Sequence, residues 1–312
     1  MAKKFIIAID LGGTNLKCAL LDNNLKIKAR NSFSTKSFDS QIKLVSGMTE
    51  AINSLILSQG LTKSVILGVG LGLPGLVDTF KGVVHFLPNI PGWKEVKLKR
   101  ILELKTRLAV FIDNDVKLMS LAELKCGAAK GFNNCLCLTL GTGVGGGLII
   151  GGKLYRGNDN AAGEIGHLPL NEFGPFCGCG AYACLEAYIG NTKLLKEARK
   201  LFGSRITLEK VSALAKQNNN PAKKFWKKAG SYLGQALAGS VNLLNLDAII
   251  IGGGVVSAGK VLFTSVRQTI SKRSMSVQAK RVRVFKAKLG PDAGLIGAGY
   301  LVKEMLLKGK RS

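Results

Sequence analysis

Phe5-Ile6-Ile7-Ala8-Ile9-Asp10-Leu11-Gly12-Gly13-Thr14-Asn15-Leu16-Lys17 opens the chain with an apolar run that ends in a carboxylate and a glycine pair; a second apolar run follows from Cys18 to Leu21. The apolar runs predict strands, the glycines a tight turn between them, and Asp22-Asn23-Asn24 a second turn into a third strand. Without Cβ atoms in the way, the backbone N–H groups at Gly12 and Gly13 can face a phosphate. Thr14 adds a hydroxyl and Lys17 a positive charge. Asp10 is placed to hold Mg2+ directly or through water, because hard cations prefer oxygen ligands. Taken alone the hairpin is weak evidence, since a plain β-turn explains it as well.

It is not alone. Cys135 to Leu140 runs into Gly141-Thr142-Gly143-Val144-Gly145-Gly146-Gly147, then Leu148 to Ile150, the turn Gly151-Gly152 and a third strand at Lys153 to Tyr155. The order strand, Gly/Thr turn, strand, turn, strand thus occurs twice. Such an internal repeat predicts an α/β chain of two similar lobes facing each other across a cleft, with one phosphate loop in each. Cys135 and Cys137 alternate with apolar residues and belong to a core.

A third cluster stands just beyond the second repeat. Gly163-Glu164-Ile165-Gly166-His167 is followed ten residues on by Cys177, then Cys179 and Cys184, one histidine and three cysteines within eighteen residues. Zinc takes four N/S ligands in a tetrahedron, and a site filled by protein side chains is structural. The set reads as a closed zinc site, and the alternative is a core histidine among small hydrophobic thiols. Glu164 and Glu186 bracket the cluster, so a metal there would fix both acids.

Between the repeats, Phe38 to Ser58 has helical spacing, Ser64 to Gly70 reads as a strand, and a glycine-proline loop runs from Gly70 through Gly75 to Asp78. Leu87-Pro88-Asn89-Ile90-Pro91-Gly92-Trp93 is a second loop of the kind that grips polar ligands. Glu95 to Thr106 predicts a helix, Ala109 to Ile112 a strand, and Asp113-Asn114-Asp115 opens a helix to Lys125. An acid at that strand-to-helix junction can accept a hydroxyl proton as the oxygen attacks phosphorus, with Asn114 orienting the hydroxyl. The competing reading of Asp115 is a helix cap. Helices follow over 192–202, 207–217 and 221–246; Asp247 to Val256 is then a buried strand whose glycines, Gly252 to Gly254, let backbone approach a base or ribose. Pro291 to Gly299 opens the closing helix. The expected lobes are 1–120, with a helix over about 293–312 packing back on it, and 121–292, which carries the cysteine cluster.

Composition bounds the rest. The chain has 312 residues, 46% of them hydrophobic, with 39 glycines and 7 prolines, which excludes a disordered or fibrous chain. Seven cysteines, three of them in a metal set, and an apolar start that meets Asp10 after five residues imply a reducing cytoplasm without secretion. No uncharged stretch is long enough for a membrane span. A net charge of +26 would suggest a polyanion partner, but the lysines are dispersed over helix faces without aromatic interleaving. No specific nucleic-acid partner is therefore expected.

Seven signatures, Asp10-Leu-Gly-Gly-Thr-x-x-Lys17, Gly70-x-Gly-x-Pro-Gly-x-x-Asp78, Asn114-Asp115, Leu140-Gly-Thr-Gly-x-Gly-Gly-Gly147, Gly163-Glu-x-Gly-His167, Cys177-x-Cys-Gly-x-x-x-Cys-x-Glu186 and Gly252-Gly-Gly254, together resemble the ROK family of sugar kinases and sugar-responsive repressors. The resemblance runs over essentially the whole chain in the family's order. It implies an actin/hexokinase-like fold of two RNase H-like lobes, with ATP, Mg2+ and a hexose between them. Asp115 would be the general base. Gly75, Asn89, Asn114, Glu164, His167 and Glu186 would hold the sugar. Asp10, Gly12, Gly13, Thr14, Lys17, Gly141, Thr142, Gly143, Gly253 and Gly254 would hold the nucleotide, and His167, Cys177, Cys179 and Cys184 structural Zn2+. A homodimer or larger homo-oligomer is expected. Ala183 stands where members commonly have glycine.

Two classes are weighed within the resemblance. The repressors carry a helix-turn-helix ahead of the first hairpin, and only nine residues precede Asp10, so a kinase is expected. Glucose is the first candidate substrate, from the likeness of Gly127 to Gly131 and Ala161 to His167 to bacterial glucokinases; N-acetylglucosamine and N-acetylmannosamine come second.

Overall fold

The computed structural model describes residues 3–87, 90 and 92–308, and among the residues proposed above Asn89 lies outside them. The chain divides into two compact units. One holds the residues up to Lys125, the segment Arg156–Ala162 and the residues from Pro291 on; the other holds Cys126–Tyr155 and Gly163–Gly290.

In the first unit β1 (Phe5–Leu11), β2 (Asn15–Asp22) and β3 (Ile27–Ser34) form an antiparallel meander. Then come α1 (Gln41–Ser58), β4 (Ile66–Leu73), β5 (Val77–Asp78), β6 (Val83–Phe86), β7 (Lys94–Val96), α2 (Leu98–Thr106), β8 (Val110–Asn114) and α3 (Asp115–Cys126). The main sheet has the order β3-β2-β1-β4-β8, with β1, β4 and β8 parallel. β1 lies in its middle, so Ile6 to Ile9 are buried on both faces, which is why the run is continuously apolar. In α1 the side chains of Leu44, Val45, Met48, Ile52, Leu55 and Ile56 are buried at helical spacing. That helix starts at Gln41 rather than near Phe38, because Ser40 caps it by accepting the Lys43 N–H at 3.3 Å.

Two expected boundaries move. Glu95 and Val96, expected at the start of a helix, instead belong to β7, which pairs with β6 in a small sheet with β5, and α2 begins only at Leu98. Gly70 to Leu73, expected in a loop, continues β4. The glycine at 70 is there for packing: a Cβ would lie 2.2 Å from the Ala298 carbonyl oxygen.

The second unit contains β9 (Cys135–Leu140), β10 (Val144–Ile150), β11 (Lys153–Tyr155), α4 (Leu185–Ile189), α5 (Asn191–Phe202), α6 (Leu208–Lys216), α7 (Asn220–Leu244), β12 (Ala248–Gly252), α8 (Lys260–Arg273), α9 (Ser276–Arg281) and β13 (Arg283–Lys286). Its sheet runs β11-β10-β9-β12-β13, again a three-strand antiparallel meander with two parallel strands added beside its first strand. The repeat read in the sequence as three strands is therefore five strands in each unit. Trp226, Leu233, Leu237 and Val241 of α7 fill the core beside this sheet. The last helix, α10 (Ala293–Lys308), belongs to the first unit, where Leu295, Ala298, Leu301 and Val302 pack on Ile6, Ala8, Ala19 and Leu21. Among the described residues no helix is long and apolar enough to cross a membrane.

Candidate functional site

In the first unit the candidate residues gather at the carboxyl ends of the parallel strands. Asp10 pairs in register with Gly72, and Gly72 with Asp113, so two carboxylates stand in one row across β1, β4 and β8 with a glycine between them. Ligands of open α/β sheets bind at that edge. A Cβ on Gly72 would lie 3.1 Å from Cδ1 of Leu118, 3.4 Å from Cα of Asp115 and 3.7 Å from Oδ1 of Asp10, so Gly72 lies between the two acids and against α3. The turn Gly12 to Thr14 closes with Gly12 N–H on the Asn15 carbonyl at 2.9 Å, and Thr35 braces it through the Gly12 and Thr14 carbonyls. Lys17, across the hairpin from Asp10, brings Nζ to 3.8 Å from its Oδ2 and donates to the Pro291 carbonyl at 2.9 Å. Burial raises the Asp10 carboxyl above its ordinary range, and Lys17 pulls it back only in part.

Three consecutive polar residues at the end of β8 divide the work. Asp113, fully buried, binds Arg156 through Oδ2 and receives Thr79 Oγ1 and the Asn114 N–H on Oδ1. Asn114 accepts the N–H groups of Val116 and Lys117 on Oδ1 at 3.0 and 3.1 Å, and its Nδ2 donates to the Gly75 carbonyl at 3.1 Å. It is thus the cap of α3 and meets the expected sugar-side glycine, which holds a left-handed φ of 87°. Asp115, first residue of α3, also accepts from Val116 N–H at 2.9 Å. Asp78 is occupied locally, accepting the N–H groups of Phe80 and Lys81.

In the second unit two glycine turns share one edge. β9 and β12 are parallel neighbours with Thr139 opposite Gly252, so Gly141 to Gly143 and Gly253-Gly254 emerge side by side. Gly253 has φ 87°, and a Cβ there would lie 2.2 Å from the Leu140 carbonyl oxygen. Asn191 at the start of α5 joins the turns: its N–H donates to the Gly141 carbonyl at 2.9 Å, its Nδ2 lies 4.0 Å from where a Gly254 Cβ would be, and its buried Oδ1 has no partner among the described residues. Glu186, in the first turn of α4, lays Oε2 on the Val144 N–H at 2.8 Å, and a Cβ on Gly143 would meet that oxygen at 2.3 Å. Gly145 to Gly147, expected in the turn, are strand residues of β10. Gly146 makes room for the next segment and Gly166 of that segment for β10, because Cβ atoms on them would strike the Gly163 and Val144 carbonyl oxygens at 2.3 and 2.1 Å.

That segment leads to Glu164, exposed, and to His167 in a short 3-10 turn. The ligand atoms of His167, Cys177, Cys179 and Cys184 all lie within 4.8 Å of one another. His167 Nδ1 is 3.7 Å from Cys177 Sγ, and Cys179 Sγ is 3.7 Å from Cys184 Sγ. A tetrahedron with zinc–sulfur bonds of about 2.3 Å has edges of roughly 3.8 Å, so the set fits zinc. Burial pushes the Cys184 thiol up to about 12 and raises that of Cys177, whereas the Ala181 N–H beside Cys179 holds that thiol below its usual range. A dication among the sulfurs would reverse the burial effect. Ala183, where the family pattern has glycine, is fully buried with φ 55°, the left-handed conformation a glycine adopts freely.

The model of the ROK family matches residues 6–305. This chain belongs to the ROK family. The ROK chain is 34% identical to a glucokinase of Halalkalibacterium halodurans over 97% of its own length and 96% of the relative's. It is 30% identical to a putative xylose repressor of Caldicellulosiruptor sp. over 96% of its own length and 79% of the relative's. The crystal structure of a ROK family glucokinase from Streptomyces griseus in complex with glucose and AMPPNP superposes with a TM-score of 0.84 at 29% identity, covering 96% of this chain and 99% of that one. Its fold is therefore the actin-like sugar kinase fold, with two sheet-containing lobes.

Three polar residues of this ROK chain escaped the sequence reading: Asp113, Arg156 and Asn191. Asp113 stands in the same junction as Asn114 and Asp115, and only its buried pairing with Arg156 reveals a role of its own. The signal for Arg156 was its place in Tyr155-Arg156-Gly157, directly after the repeat's last strand.

Proposed function

We propose that this chain is an ATP-dependent hexokinase that moves the γ-phosphoryl group of ATP to a sugar hydroxyl, with glucose as substrate and glucose 6-phosphate as product. The observation that carries it is the row at the sheet edge, Asp10 and Asp113 with Asp115 at the head of α3, where Asn114 supplies the cap. The glucokinase relatives, 34% identical in one case, support the substrate.

In this reading Asp115 takes the proton of the hydroxyl as its oxygen forms a bond to the γ-phosphorus and ADP leaves. Asn114, Gly75, Asn89, Glu164, His167 and Glu186 hold the sugar. His167 can serve sugar and metal together, since Nδ1 faces Cys177 and Nε2 is on the far side of the ring. The backbone of Gly12, Gly13, Gly141, Thr142 and Gly143, with Thr14 and Lys17, takes the phosphates, and Gly253-Gly254 lies against the nucleoside. Asp10 would hold Mg2+, whose charge offsets that of the phosphates; its raised carboxyl fits a place that awaits a cation. His167, Cys177, Cys179 and Cys184 would hold Zn2+ as a structural ion. The chain works in the cytoplasm as a homodimer or larger homo-oligomer.

The test is a coupled ADP-release assay across glucose, mannose, fructose, N-acetylglucosamine and N-acetylmannosamine. Glucose should give the highest kcat/KM. A higher value for an N-acetylhexosamine would move the chain to that kinase class, and sugar binding without turnover would make it a sensor like the repressor relatives.

A further inference from the structure

Two ties fasten the segment Arg156–Ala162 to the junction that carries Asp115, one on each side of it. Two residues before Asp115, Oδ2 of Asp113 accepts Nε and Nη2 of Arg156 at 3.1 and 2.5 Å. Two residues after it, Nζ of Lys117 donates to the Asn160 carbonyl. Both anchors on the junction are buried, Asp113 completely and Lys117 to within 2%. The segment closes on itself, with the Ala162 N–H on the Arg156 carbonyl at 2.9 Å, and Asn160 sits in the left-handed region at φ 57°. A buried carboxylate and a buried ammonium are tolerated only with partners of good geometry. Asp113 has four donors: Thr79 Oγ1, the Asn114 N–H and the two arginine nitrogens. Hence Arg156 cannot move without freeing a buried charge, and the strand end that precedes Asp115 is fixed by the same bonds.

We propose that Arg156 and Lys117 are positioning residues of the phosphoryl transfer: through Asp113 and Asn160 they hold the backbone at 113–117, and so the carboxylate of Asp115, in line for the hydroxyl proton. The proposal rests on the reading of Asp115 as base. Neither residue touches substrate in this account. Their effect runs through geometry, and a base misplaced by about 1 Å can lose on the order of 10²-fold in rate.

The experiment compares Arg156→Ala, Arg156→Lys and Lys117→Met in the full chain, each alone and combined with Asp115→Asn. Melting curves confirm that each variant is folded at the assay temperature. Arg156→Ala should lower kcat at least about tenfold while the KM for glucose moves less than about threefold. Lysine keeps the charge without the fork and should recover part of the loss, which gives a milder variant should the alanine one fail to fold. Against Asp115→Asn, the same changes should lower kcat less than about twofold, because there is no base left to position. Amide exchange at 114–117 should quicken in Arg156→Ala. Unchanged kcat, or equal losses in both backgrounds, or slowed turnover with unchanged exchange at 114–117, would each overturn the proposal. A wild-type protein that turns over no hexose would overturn the hexokinase reading itself, whereas active wild type with unaffected variants would overturn only this one.

Discussion

Asn114 Oδ1 accepts the Lys117 N–H at 3.1 Å, so the cap of α3 is the asparagine and not the aspartate that follows it. The two residues should therefore fail differently. Asn114→Ala should lower stability by about 1 kcal/mol, the usual effect of losing such a cap. Asp115→Asn should leave stability within that margin and reduce kcat by roughly 10²-fold or more, the scale of a lost general base. Paired denaturation and steady-state kinetics decide it: near-normal turnover in Asp115→Asn would remove the aspartate from the chemistry.

Asp10 makes a prediction about pH. Burial raises its folded carboxyl above the ordinary value of 3.8, beyond what Lys17 offsets. Its charged form is thus disfavoured in the native state, and the stability it contributes is present below about pH 3.8 and lost as pH rises through the raised folded value. At pH 7 the ligand-free protein carries that penalty. Asp10→Asn should raise Tm at pH 7, the gain should shrink as pH falls toward 4, and turnover should collapse. Calorimetry at pH 7 and pH 4.5 reads the first two; a Tm lowered at pH 7 would contradict them.

The Cys3His set predicts one zinc per chain. Cys179→Ser should reduce bound zinc and Tm together, the latter by about 5 °C or more, as expected for a loss of a couple of kcal/mol in a unit of this size. Mass spectrometry of the native protein and a melting curve provide the check. A chain that melts unchanged and turns over fully without metal would show that the four side chains hold nothing essential.

Gly253 combines a left-handed φ with no room, since its Cβ would lie 2.2 Å from the Leu140 carbonyl oxygen. Gly253→Ala should destabilise by more than about 2 kcal/mol and weaken ATP more than glucose. By contrast, Gly178 has open space around a Cβ and no left-handed φ, so Gly178→Ala should change stability by less than about 0.5 kcal/mol. Urea denaturation and nucleotide titration of both variants separate the two positions; equal responses would count against the packing argument.

Much of this site was legible because its constraints are local. A turn that must pass φ 87° or admit a neighbouring carbonyl leaves a glycine in the sequence, as at Gly75 and Gly253. Thiols and an imidazole able to hold one ion stand close in the chain, as Cys177, Cys179 and Cys184 do after His167. The glycines of β10 look like loop residues in the sequence, because residue type can record that a Cβ is excluded but not what excludes it. Only the packed chain shows the Gly163 carbonyl against Gly146.

The sequence by itself determined the repeat, the order of the glycine turns, the cluster of three cysteines and a histidine and the carboxylate at the strand-to-helix junction, since each is written in backbone allowance or side-chain chemistry over a short span. Tertiary structure decided which polar groups meet: Arg156 with Asp113 across 43 residues, Glu186 with Val144 across 42, Asn191 between two turns far apart in the chain. Those partners depend on sheet register and on which strand ends lie side by side. A slip of one residue turns a side chain to the other face, so no local pattern can specify them.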